Sequence, residues 1–125
     1  MEKLTNCDII IDIEFIENIS GGNQNYEILF LAKDGEKYKI IFDFALDIRC
    51  SIESAYIDRA TKFLHAEKEK SSVLLIENSE YFKYFESQVS GTRPVDNIKN
   101  YIIFDSVDTI IEVLTMKDAN LVRLS

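Results

Sequence analysis

The chain has 125 residues, 46% of them hydrophobic and 29% charged, the balance of a single soluble globular domain spanning residues 1–125. Twenty-two acids against fourteen bases leave a formal charge of −8, which works against nucleic-acid phosphates and anionic membrane surfaces, where lysine and arginine carry the affinity. The longest purely apolar runs, such as Val73–Ile76, fall far short of the ~20 residues that span a membrane.

The opening MEKLTNCD lacks the basic-then-apolar layout of a signal peptide, so the expected location is the cytoplasm. Cys7 and Cys50 form no C-x-x-C pair and read as reduced thiols. In CDIIIDIEFIENI the alternation predicts a strand with Ile9, Ile11, Ile13 and Phe15 on one face and Asp8, Asp12 and Glu14 on the other. GGNQN (21–25) is turn chemistry, and Tyr26 to Lys33 reads as a second strand. Asp34-Gly35 signals a hairpin, because a type I′ turn needs two residues that tolerate positive φ. The third strand, Lys37 to Phe44, aligns Tyr38, Ile40, Phe42 and Phe44, which completes a three-stranded antiparallel meander.

SIESAYIDRATKFL (51–64) changes to helical period, with Ile52, Tyr56, Ala60 and Phe63 as a stripe, Ser51 as N-cap and Glu53 in the first turn. After the charged linker KEKSS, Val73 to Ile76 is apolar on both faces, which suits a strand covered on both sides. A second helix, Glu80 to Ser90, begins after Asn78-Ser79 and stops at Gly91. Tyr101 to Phe104 and Thr109 to Thr115 follow as strands, and LVRLS is either a short edge or a frayed end. The order βββαβαββ predicts an α+β fold, a largely antiparallel sheet of about six strands with two helices packed on it.

Chemistry is sparse. The tetrapeptide IIFD occurs twice, followed by spaced acids, so Asp43 with Asp47 and Asp105 with Asp108 are the candidate oxygen ligands for a hard cation. Neither pair sits in a D-x-[DN]-x-[DN]-G loop, and acids at strand ends ordinarily cap turns, so no metal and no cofactor is expected. His65, the only histidine, falls at a helix end without an activated nucleophile beside it in sequence. Gly21-Gly22 lacks the lysine and spacing of a phosphate cradle. Arg59 is expected to pair with Asp43 or Asp47, a cluster with a structural account.

The second helix is the most unusual segment. In SEYFKYFESQV, Phe82, Phe85 and Val89 supply the buried stripe. Tyr81 and Tyr84 then flank it beside Glu80, Glu86 and Gln88, and tyrosines at a rim with acids have the composition of a protein-binding patch. The plainer account is tyrosine straddling core and solvent, as in any small domain.

The closing NYIIFDSVDTIIEVLT, with FDFALDIRCSIESAYIDR, resembles small uncharacterised bacterial cytosolic proteins, some of which are similar to immunity proteins of polymorphic toxin systems. The resemblance implies a small acidic α+β protein that binds and neutralises a cognate toxin. Three functions follow. The first is a non-enzymatic domain that binds a basic protein partner through Tyr81 and Tyr84 as anchors, with Glu80, Glu86, Asp105 and Asp108 as charge partners. The second is a metal-dependent or small-molecule enzyme in which Asp43, Asp47 and Asp105 converge. The third is a structural module that forms a homodimer through a sheet edge or the aromatic helix.

Overall fold

A computed structural model describes residues 2–52, 71–89, 97–107 and 109–124. Among them run nine strands and one helix: β1 (Lys3–Asn6), β2 (Ile13–Gly22), β3 (Asn25–Ala32), β4 (Lys37–Phe42), β5 (Ala45–Ile52), β6 (Val73–Glu77), α1 (Glu80–Val89), β7 (Lys99–Phe104), β8 (Thr109–Thr115) and β9 (Asn120–Leu124). They form two antiparallel sheets, ordered β1-β6-β7-β8-β5 and β2-β3-β4-β9. No helix of the described residues is long and apolar enough to cross a membrane.

The α+β expectation of one six-stranded sheet under two helices is therefore wrong, and three strands account for the difference. The four-residue β1 pairs with β6 (Leu4↔Ile76). The DIRCSI stretch alternates with period 2, and its strand β5 lies against β8 as far as Ile52↔Thr109. Ser51 is thus a strand residue opposite Ile110 rather than an N-cap; the rest of the expected first helix lies outside the described residues. Leu121 to Leu124 of the closing LVRLS belong to the edge strand β9, with Ile40 opposite Leu121.

The three-stranded antiparallel meander forms, but its first strand begins at Ile13, beyond Ile9 and Ile11, and its third ends at Phe42 rather than Phe44. Ile28 faces Ile40 and Phe30 faces Tyr38 across β3 and β4, and the Phe30 and Tyr38 rings stack with centroids 5.7 Å apart. The positive-φ turn falls elsewhere than expected. Asn23 and Gln24, between Gly22 and Asn25, carry φ of 52° and 72°, the signature of a two-residue type I′ loop. Gly21 precedes it at φ 130°, where a Cβ would stand 2.1 Å from the Asn25 carbonyl oxygen. At Asp34-Gly35 only the glycine has positive φ, 87°. There Gly35 N donates to Ala32 O and Ala32 N to Glu36 O, the pattern of a three-residue loop closed by a glycine bulge. Asp34 accepts from Glu36 N and the Tyr38 hydroxyl, and the latter bond does most to hold its carboxyl below the ordinary value.

One face of each sheet builds a shared core. Ile28, Phe30, Ile40 and Phe42 of the smaller sheet meet Val73, Tyr101, Ile103, Ile111 and Val113 of the larger. The Phe42 and Tyr101 rings bridge the two edge-to-face at 5.5 Å. β6 has apolar groups on both faces, as its sequence requires: Val73 joins this core, and Leu74 and Ile76 join Leu4, Ile102 and Ile110 in a second cluster on the far face. In β2 the simple alternation fails. Register shifts between Ile13 and Phe15, and between Ile16 and Asn18, turn Ile16 inward and leave Phe15 47% exposed.

Polar groups join the sheets where the chain passes between them. Ser72 Oγ accepts from Ile13 N at 2.9 Å while Ser72 N donates to Ile11 O at 2.7 Å. Asp105, 7% exposed, accepts from Ile16 N on one carboxylate oxygen and from Val107 N and Thr109 N on the other, each at 3.0 Å. Replacing Asp105 by asparagine sets an NH2 group against one of these backbone donors. Asp105→Asn is expected to cost about 2–3 kcal/mol and Ser72→Ala about 1–2 kcal/mol. Urea denaturation checks this as a lower midpoint at unchanged slope.

Candidate functional site

Helix α1 stands against the far face of the five-stranded sheet. Its N-terminus is closed twice: Ser79 Oγ accepts from Phe82 N at 2.9 Å, and the buried Glu2 carboxylate accepts from Glu80 N at 2.9 Å. Both bonds satisfy amides with no partner inside the helix, and the carboxylate also meets the positive end of the dipole. The left-handed Asn78, φ 55°, turns the chain from β6 into the cap. Ser79 also donates to Asn100 Oδ1 on β7, so the helix start is fixed to the sheet.

Tyr81 carries the rest of the attachment. It is 4% exposed, and its hydroxyl donates to Asp47 Oδ2 at 2.7 Å. The Arg49 guanidinium lies 4.0 Å from the centroid of its ring. Arg49 in turn donates through Nη2 and Nε to Glu112 Oε2, at 2.8 and 3.2 Å. Asp47, Arg49 and Glu112 share one face because Asp47 and Arg49 are two residues apart on β5 and Glu112 lies opposite Arg49 on β8. The Glu112 side chain is 4% exposed, so its charge needs the Arg49 partner that the register supplies. Burial, and then the bond to Asp47, push the Tyr81 phenol far above its ordinary 10.0, so it remains a proton donor over the physiological range. The four groups form a clamp between the helix and the sheet.

Of the six residues expected to contact a partner, the five that are described are dispersed by the fold. Tyr81 is withdrawn into the clamp, and Tyr84 is 66% exposed. At 100° per residue Glu80 lies 40° from Tyr84 on the outward face, while Glu86 lies on the opposite flank beside Phe82 and Lys83. Phe82, Phe85 and Val89, the expected buried stripe, are half-buried. Asp105 is enclosed among backbone amides at the β7–β8 turn, and Asp108 lies outside the described residues.

The carboxylates of the enzyme reading do not converge. Asp47 sits opposite Leu114, whereas Asp105 is bonded to Thr109, so roughly 17 Å of β8 separates them at ~3.4 Å per residue. Asp43 is exposed at the bend between β4 and β5. No group of three or more potential metal ligands forms among the described residues. Arg59 and His65 lie outside those residues; Arg49 pairs with Glu112 and lies over Tyr81, whose hydroxyl bonds to Asp47. Sequence reasoning missed Arg49 and the pairing of Glu112. The available signal was Glu112 itself, a lone charge in the centre of the apolar run TIIEVLT.

Compared with protein-family models, curated proteins and solved structures, the chain has no significant match in any of the three.

Tyr81→Phe keeps the ring under Arg49 and removes only the bond to Asp47, so it is expected to cost about 1 kcal/mol at neutral pH. The phenol's raised value means the folded state keeps a proton that the unfolded chain gives up near pH 10. This contribution is complete below that pH and is lost as pH rises beyond it. Stability measured against pH should therefore fall less steeply in Tyr81→Phe than in the parent chain on the alkaline side.

Proposed function

We propose that the chain is a non-enzymatic protein-binding domain, an immunity-type protein that neutralises a basic toxin, with the outward face of α1 as its contact surface. One observation carries this reading: Tyr84 is 66% exposed on a helix that Ser79, Glu2 and Tyr81 hold at its start and inner face. A large aromatic ring in water costs solvation, and a fixed mount lowers the entropy lost when a partner covers it. Glu80 stands beside it on the same face. The formal charge of −8 supports attraction to a basic surface and a fast encounter.

Within this reading Tyr84 is the anchor and Glu80 the nearest charge partner. Glu86 serves a separate flank, and Tyr81 contributes by holding the helix. Affinity capture from the native host at physiological salt is expected to retain a basic protein. Tyr84→Ala should weaken that complex about 30-fold, the effect of losing an aromatic hot spot. Glu80→Lys should chiefly slow association, seen as a lower on-rate by surface plasmon resonance. Capture of no basic protein, or full binding by Tyr84→Ala, contradicts the reading.

A further inference from the structure

We propose that the free edge of β9 pairs with β9 of a second copy of this chain, antiparallel across a two-fold axis. The edge belongs to the four-stranded sheet, so the inference is independent of the α1 surface above.

A sheet edge presents amides and carbonyls in the spacing that a further strand requires, and folded chains ordinarily blunt it. Three of the four edges here are blunted. On β2 the other sheet takes the groups themselves: Ser72 accepts from Ile13 N, Asp105 accepts from Ile16 N, and Ser106 N donates to Glu14 O. The register of β5 shifts between Ala45 and Asp47, and Ala45 N donates to Gln24 O. β1 is only four residues long. β9 has none of these devices. Its ladder to β4 runs without a shift from Asn120 to Leu124, and it holds no proline. Its single charge, Arg123, is paired with Glu36. Among the described residues no backbone group of β9 bonds outside that ladder.

The composition of β9 selects a second copy as the occupant. In a chain of formal charge −8, joining like edges sets carboxylates against each other almost everywhere. β1 borders Glu77, β2 carries Glu14 and Glu17, and β5 carries Asp47. NLVRL carries no acid. A two-fold axis normal to the sheet keeps like faces together when it passes beside one residue of each copy, and beside Val122 it engages all five. Val122 then meets Val122 of the second copy, Leu121 meets its Arg123, and Asn120 meets its Leu124. Val122 is 37% exposed on the face away from the core, with Lys39 opposite it, so pairing covers an apolar side chain that otherwise stands in water. The product is one eight-stranded sheet with β9 at its centre.

The contact is small, so a dissociation constant on the order of 100 µM is expected. Sedimentation equilibrium of the full chain across that concentration should show monomer giving way to dimer. In the isotope-labelled chain, amides of 120–124 should shift with concentration while those of α1 stay fixed. Val122→Glu sets two carboxylates across the axis yet faces Lys39 within its own sheet, and it should weaken the dimer at least about tenfold. Mixing it with Val122→Lys, weakened alone for the same reason, should restore association, which a loss of folding would not permit. A monomer throughout, undiminished dimerisation of Val122→Glu, no recovery in the mixture, or shifts confined to α1 would overturn the proposal.

Discussion

The carboxylate of Asp105 is the point at which the two sheets become one structure. It lies at the β7–β8 turn of the larger sheet, yet one of its oxygens takes the amide of Ile16 in the smaller. Buried backbone donors left without partners cost about 1–3 kcal/mol each, so three amides meeting in one place constitute a demand that the fold has to answer. A carboxylate answers it with acceptor sites only, two oxygens and no donor of its own. That explains why a charge is tolerated at 7% exposure there, whereas Asp43, which follows the same IIF, is left in solvent.

The remaining order follows from the requirement that chain segments pass between sheets without leaving buried amides behind. Residues 7–12, 43–44 and 116–119 make those passages. Ser71 and Ser72 serve the first, accepting from Ile11 N and Ile13 N. Thr115 serves the third, donating to Phe44 O and accepting from Lys117 N. Cys7 is half-buried beside the Ile9 and Val73 carbonyls, and burial pushes its thiol up. Among the described residues α1 is attached to the sheet by its cap and by Tyr81.

What could be read from the sequence was whatever depended on neighbours a few residues away. The alternation of Tyr38, Ile40 and Phe42 marks β4, Asn78-Ser79 marks the start of α1, and the run Val73–Ile76 marks a strand covered twice. Phe15 was misplaced because a bulge reverses the faces of β2, and bulges leave no trace in periodicity. β5 went unread because Ser51 and Ile52 suit a helix start as well as a strand end, and only Ile110 and Thr109 decide between them. The tyrosines show the same limit at the site. Nothing local distinguishes Tyr81 from Tyr84; Asp47 and Arg49, more than thirty residues earlier, draw one of them inward.

The register of the sheets also sets the order in which this molecule can be assembled. Lys39 of β4 is completed by Val122 of β9, Arg49 of β5 by Glu112 of β8, and Leu4 of β1 by Ile76 of β6. Only the β2–β3, β3–β4 and β7–β8 ladders join strands adjacent in sequence and linked by short turns. Long loops must close before the other ladders gain any bonds, and chains of that kind fold slowly. During synthesis β4 and β5 leave the ribosome with unpaired edges and wait for strands made much later, exposing the apolar face of an incomplete sheet. The formal charge of −8 then bears on assembly, because like charges keep such half-made chains apart until their partners arrive.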